Sequence, residues 1–288
     1  MSVLTVRHAT IYRYREPVGL GEHRMMFRPR ESHDLRLIRT GLTITPRPAN
    51  LRWLHDPFDN SVAVATFEGS TTELSFESAV TLEHFENTVP EYPLEESAKL
   101  YPFRYSDADF SNLSQGLARS YPSQAVSRWA LQFLEPSAST GTMQMLRAMT
   151  HGIRAQFIYT RRVEMGVQTP EETLRKKRGS CRDFAVLMMD ATRSLGVAAR
   201  FVSGYILSPA GSGVTGGGAT HAWMQAYLPG AGWIDFDPTN SIIGNRNLIR
   251  VAVAWSPEQV SPLWGTYSGS PDAFLEMDVT VSVTELNA

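Results

Sequence analysis

The sequence predicts an α+β protein: an N-terminal antiparallel, β-sandwich-like domain, then helices packed on a second antiparallel sheet. Three observations predict it. Apolar residues alternate with a period of two through roughly the first ninety positions, a helical period appears only after Ser139, and alternating runs return after Gly196.

In the first region Leu4, Val6, His8, Thr10, Tyr12 and Tyr14 fall on alternate positions, as do Leu35 and Leu37, then Leu42 and Ile44. Val62, Val64 and Thr66 follow, then Leu74, Phe76, Ser78, Val80 and Leu82. Turn clusters separate these runs at Glu16-Pro17, Pro46-Arg47-Pro48, 56–60 and Glu68-Gly69-Ser70. Short alternating strands at such spacing belong to a sandwich or barrel. From 91 to 139 prolines break the chain, two helices are expected at 107–118 and 122–134, and aromatics such as Tyr101, Phe103 and Trp129 make the segment too apolar for disorder.

Beyond Ser139, Met143, Leu146, Met149, Ile153 and Phe157 form one apolar helical stripe, read as core packing. The next helix is punctuated by Thr169 as N-cap, Pro170 at N1, Glu172 in a capping box and Gly179 as the stop. Its basic end, 175–178, suits the helix dipole and reads as a solvated terminus. Ser180 and Asp183 cap the helix that follows, which runs to Leu195 and stops at Gly196. Strands are expected at 199–207, 221–228, 232–239 and 250–255, with a last one over 275–283. The glycine-rich stretch 211–218 reads as a flexible, exposed connection; no Gly-Lys-Ser/Thr follows it, so it is not a phosphate loop. The organisation expected is a β-domain at 1–90, a connecting region at 91–139, a core at 140–256 and an extension at 257–288.

Composition bounds the function. The 288 residues are 42% hydrophobic and carry 29 acidic against 27 basic side chains, a net charge of −2. That balance gives no footprint for nucleic acid or an anionic membrane. No apolar run is long enough to span a bilayer, and the first residues lack a secretory h-region. One cysteine forbids an internal disulfide and fits a reducing compartment, so a cytoplasmic location is expected.

That cysteine carries the chemistry. Cys181 falls in the first turn of a well-signalled helix, where free backbone N–H groups and the dipole stabilise a thiolate. Its own N–H would point at an oxyanion formed beside the sulfur. A nucleophile needs a base and the base an orienting group. His221 opens one strand, and Asp237 lies on the strand expected beside it, so the pair can meet on one sheet face. Asp235 shares that face but is read as a solvated rim residue. His8, His23, His33, His55, His84 and His151 are scattered without metal-ligand spacing and read as structural.

The block 179–185, GSCRDFA, resembles the nucleophile motif of the transglutaminase-like superfamily. Residues 194–205 resemble the segment that follows that motif; 220–223 and 232–240 resemble its histidine and aspartate motifs. The N-terminal sheet, with His8, Tyr12, Tyr14, Pro17 and Pro29-Arg30, resembles the β-domain of a bacterial subgroup. The resemblance implies a papain-like core with Cys181 as nucleophile, His221 as general base and acid, and Asp237 as orienting carboxylate. It selects Asp237 over Asp235, because the family's aspartate precedes a small residue or proline and then threonine. It also implies a second oxyanion donor upstream of the nucleophile, for which Gln156 and Tyr159 are conceivable, but each is read as structural. No acidic loop suggests the calcium site of animal crosslinking relatives, so no cofactor or metal is expected. The expected activity is hydrolysis of peptide or carboxamide bonds in a peptide or protein substrate, through a thioester. Amine transfer and a non-catalytic peptide-binding module are the alternatives.

Overall fold

The computed structural model describes residues 2–86, 91–136, 138–162, 166–209 and 211–286; the expected boundary at residue 90 lies outside them. The alternating N-terminal runs become strands β1 (Ser2–Met25), β2 (Leu35–Thr45), β3 (Asn50–His55), β4 (Ser61–Thr66) and β5 (Ser70–His84). Among the described residues they belong to one seven-stranded antiparallel sheet, in the order β2-β5-β1-β4-β3. Its last two members come from the far end of the chain.

The Glu16-Pro17 turn does not form. β1 runs straight through it, and its register against β5 slips between Arg13 and Val18. A proline cannot donate to the ladder, so the chain takes it up as a bulge rather than as a corner. Past the bulge, Met25 of β1, Ala63 and Ala65 of β4, and Leu74 and Phe76 of β5 share one core.

The helices are α1 (Asp107–Leu117), α2 (Gln124–Leu131), α3 (Thr142–Gln156), α4 (Pro170–Lys176) and α5 (Cys181–Ser194). α4 stops earlier than its sequence suggests: Lys177, not Gly179, takes the left-handed conformation at φ 51°. Gly179 instead pairs with Tyr159 in a short parallel bridge. β6 (Ala199–Ile206), β7 (His221–Leu228), β8 (Gly232–Asp237), β9 (Ile242–Ile243) and β10 (Leu248–Ala254) make a five-stranded antiparallel sheet, ordered β9-β8-β7-β6-β10. α5 is buried along nearly its whole length because it lies between that sheet and the other helices. Phe184, Leu187 and Met188 share a core with Leu146, Met149 and Ile153 of α3 and with Met224 and Phe236 of the sheet. Each such side chain contributes about 1.5–3 kcal/mol by leaving water.

The chain then returns to its beginning. β11 (Leu263–Ser268) pairs with β1 over Gly19–Met25, and β12 (Phe274–Glu285) pairs with β1 over Leu4–Tyr14. The two sheets meet through Leu4, Val6, Val80 and Leu82 on one side and Tyr205, Ile249 and Val251 on the other. At the edge of β10 the Asn60 amide donates to Val253 O (2.8 Å) and accepts from Val253 N (2.9 Å), as a neighbouring strand would. Arg30 fixes that amide, donating to Asn60 Oδ1 (2.8 Å) and Phe58 O (2.7 Å). His8, buried, is bound to Tyr205 Oη (3.0 Å), and burial lowers its pKa to about 4, so the ring is neutral and structural.

Candidate active site

Cys181 is the first residue of α5, where its N–H has no partner within the helix. The turn before it is held by Asp183, fully buried, which accepts from Ser180 N (2.8 Å), Ser180 Oγ (2.9 Å), Gln168 N (2.7 Å) and Arg162 Nη1 (2.7 Å). Burial alone would raise the carboxyl's pKa; these donors reverse that and lower it. Gly179 permits the arrangement, since a Cβ there would lie 2.8 Å from that of Asp183. Glycine, serine and aspartate around the cysteine thus present the free thiol, 6% exposed, at a fixed point.

His221 opens β7 and Asp237 closes β8. The register places Met224 opposite Phe236, which sets His221 diagonally across from Asp237 on one face. His221 Nε2 and Asp237 Oδ2 are 2.9 Å apart, both groups buried. Asp237 also accepts from Thr239 N (2.8 Å) and Asn240 Nδ2 (2.8 Å). The remaining ring nitrogen, Nδ1, is buried without a hydrogen-bond partner. Burial opposes a charge on this ring; Asp237 first, then the Cys181 thiol, outweigh it and raise the pKa to about 10. The imidazole is therefore held by a carboxylate through one nitrogen and influenced by the thiol, with its other nitrogen unspent.

Asp235 is not a solvated rim residue. It is buried and accepts from Trp223 Nε1 (2.6 Å), Gln225 Nε2 (2.8 Å) and Arg250 Nη1 (3.2 Å). Arg250 in turn makes a two-pronged pair with Asp34 of the N-terminal region (2.7 and 2.8 Å). The burial comes from segments distant in sequence, which the alternation within β8 does not reveal. Trp223 also stacks on His221, with ring centroids 5.9 Å apart.

Of the two upstream side chains, Gln156 is exposed on the last turn of α3. Tyr159 is half-buried beside the nucleophile turn; burial first, and then the Cys181 charge, push its pKa up to about 12. The stretch 211–218 is largely exposed, as expected, but it is tied down at two points. Thr215 N donates to Asn240 Oδ1 (2.7 Å), and Val281 N donates to Gly218 O (3.0 Å). Sequence reasoning passed over Asn240, although an Asn placed just after an Asp-Pro-Thr turn signals side-chain bonding to local backbone.

A thiol at a helix start, with a carboxylate-held imidazole on the adjoining antiparallel sheet, defines the papain-like class of fold. Residues 4–83 match the bacterial transglutaminase-like N-terminal region, and residues 127–238 match the transglutaminase-like superfamily core. The chain belongs to the transglutaminase-like superfamily. An uncharacterized protein of Mycobacterium leprae is 40% identical over 118 residues, a match spanning 40% of this chain and 40% of that protein. An uncharacterized Mycobacterium bovis protein is 27% identical over 295 residues, covering 96% of this chain and 91% of its own. The crystal structure of a candidate cysteine protease from Cytophaga hutchinsonii shares the fold: TM-score 0.73 at 18% identity, over 100% of this chain and 91% of that one. Among the described residues no helix is long and apolar enough to cross a membrane.

Proposed function

We propose that the protein is a cysteine-dependent hydrolase of peptide or carboxamide bonds, with Cys181 as nucleophile, His221 as base and acid, and Asp237 as the orienting carboxylate. One observation carries this reading. Asp237 occupies Nε2 of His221, while Nδ1 is buried and unpaired and the ring's pKa responds to Cys181. Such a ring is oriented by one atom and exchanges its proton at the other.

Below its pKa of about 10 the ring already holds the thiol's proton at Nδ1, and Sγ of Cys181 attacks the substrate carbonyl carbon as the thiolate. The Cys181 N–H, at the helix start, faces the oxyanion. The C–N bond breaks as Nδ1 returns the proton to the leaving amine, and a thioester remains. Water then gives a proton to Nδ1 and attacks the thioester; the C–S bond breaks and the thiolate is restored beside the protonated ring.

Water is the acceptor in this reading because amine transfer needs a second binding surface. The neighbouring 211–218 loop, five of its eight residues glycine, presents no aromatic or long aliphatic side chain to build one. The partner is a peptide or protein, and a thiol that must stay reduced suits the cytoplasm. A glutamine peptide with excess primary amine tests the reading, with ammonia release and amine incorporation followed together. Ammonia or cleavage without incorporation is expected; incorporation dominating at millimolar amine makes the protein a transferase. No turnover and no covalent reaction at Cys181 makes it a binding module.

A further inference from the structure

We propose that Asn240 is a positioning residue that ties the 211–218 loop to Asp237, making the loop a fixed wall of the reaction site. The inference rests on the assignment of Cys181, His221 and Asp237 above. Both amide hydrogens of Asn240 and its oxygen are engaged. Nδ2 donates to Asp237 Oδ2 (2.8 Å) and to Thr215 O (3.0 Å), while Oδ1 accepts from Thr215 N (2.7 Å). One side chain therefore holds the loop backbone by a reciprocal pair and the carboxylate by a charge-assisted bond.

The next loop residue shows what the clasp achieves. Gly216 has φ +93°, and a Cβ built on it would lie 2.8 Å from His221 Nδ1 and 3.2 Å from Cε1. The Gly216 backbone thus lies against the nitrogen that exchanges protons, at a distance only glycine permits. Gly218 O anchors the other end of the loop on Val281 N of β12 (3.0 Å). Asn240 sets the loop and Asp237 relative to each other. The space beside Nδ1, where a leaving amine or incoming water must stand, is then bounded by the backbone of 215–216.

The test needs no substrate. Cys181 is alkylated with iodoacetamide from pH 5 to 10 in the wild type, Asn240→Ala, Gly216→Ala and His221→Ala, and amide exchange is followed over 211–220. In Asn240→Ala the rising limb of labelling should move up by about one pH unit. The neutral rate then falls about tenfold, the worth of one charge-assisted hydrogen bond, and the loop amides lose protection. Gly216→Ala should slow labelling comparably by displacing the ring, and it carries the test alone if Asn240→Ala does not fold. A loop that loosens while the labelling profile stays on that of the wild type overturns the proposal, as does a wild-type profile in folded Gly216→Ala. If His221→Ala labels as fast as the wild type, the error lies in the assignment of the three residues, and the proposal falls with it.

Discussion

Two buried carboxylates stand two residues apart on β8, and their surroundings differ in one decisive respect. Asp235 is saturated: Trp223, Gln225 and Arg250 donate to it, and Arg250 spends its other nitrogen on Asp34. Asp237 is well supplied as well, by Thr239 and Asn240, but its third partner is an imidazole whose far nitrogen is left unbonded. A closed network has nothing to give to a reaction and serves to fix two sheets together. A network one bond short, ending beside a thiol, keeps a proton-carrying atom in reserve. Burial and charge are common to both; the open valence separates chemistry from architecture.

Substitutions on the two sides should therefore fail in different ways. The largest effect expected is at the nucleophile, where Cys181→Ser should remove turnover by a factor on the order of 10⁶ while the melting temperature holds, measured with a cleavable peptide or carboxamide. Next in size is Asp34→Ala, which leaves Arg250 with Asp235 as its remaining carboxylate and should cost about 2–3 kcal/mol in denaturant unfolding. Activity per folded molecule should hardly change, and a selective loss of activity would erase the distinction. Asp235→Asn should cost about 1–3 kcal/mol, since the amide keeps one acceptor oxygen and its NH2 cannot accept from the remaining donors.

The smallest effects lie in pH. Burial works against the Asp34 carboxylate, but Arg250 prevails and its pKa is lowered. Its contribution is present above the unfolded carboxylate value of about 3.9 and is lost as pH falls through the folded value. His221 is raised from 6.5 to about 10, so its contribution is full below 6.5 and is lost as pH climbs towards 10. Unfolding midpoints against pH should lose part of their alkaline slope in His221→Gln and keep their acid limb. An unchanged alkaline slope would mean that His221 does not form this pair.

What the sequence made legible was local. The helix start at Cys181 follows from Ser180 and Asp183, the strand beginning at His221 from alternation, and β8 from the run 232–239, of which Gly232–Asp237 forms the strand. The burial of Asp235 depends on Asp34 and Arg250, which lie 216 residues apart in the chain. Strand β12 pairs Glu285 with Leu4, a contact that no window of sequence contains. Glu16-Pro17 misled because a proline in a long strand and a proline in a turn look alike until the partner strand's register is known. The glycine-rich loop read as loose for a similar reason: its restraint comes from Asn240 and Val281, not from its own residues.

The direct test compares Asp237→Asn with Asp235→Asn in the folded protein, following Cys181 alkylation by iodoacetamide at neutral pH without denaturant. An amide at 237 holds the imidazole in the wrong tautomer, so labelling of the folded protein should fall by a factor on the order of 10² or more, alongside the lower melting temperature that loss of the His221 pair brings. Asp235→Asn should label at nearly the wild-type rate but unfold earlier. The opposite pattern, with slow labelling in Asp235→Asn and wild-type labelling in Asp237→Asn, would contradict the assignment of Asp237 to the reaction and of Asp235 to the fold.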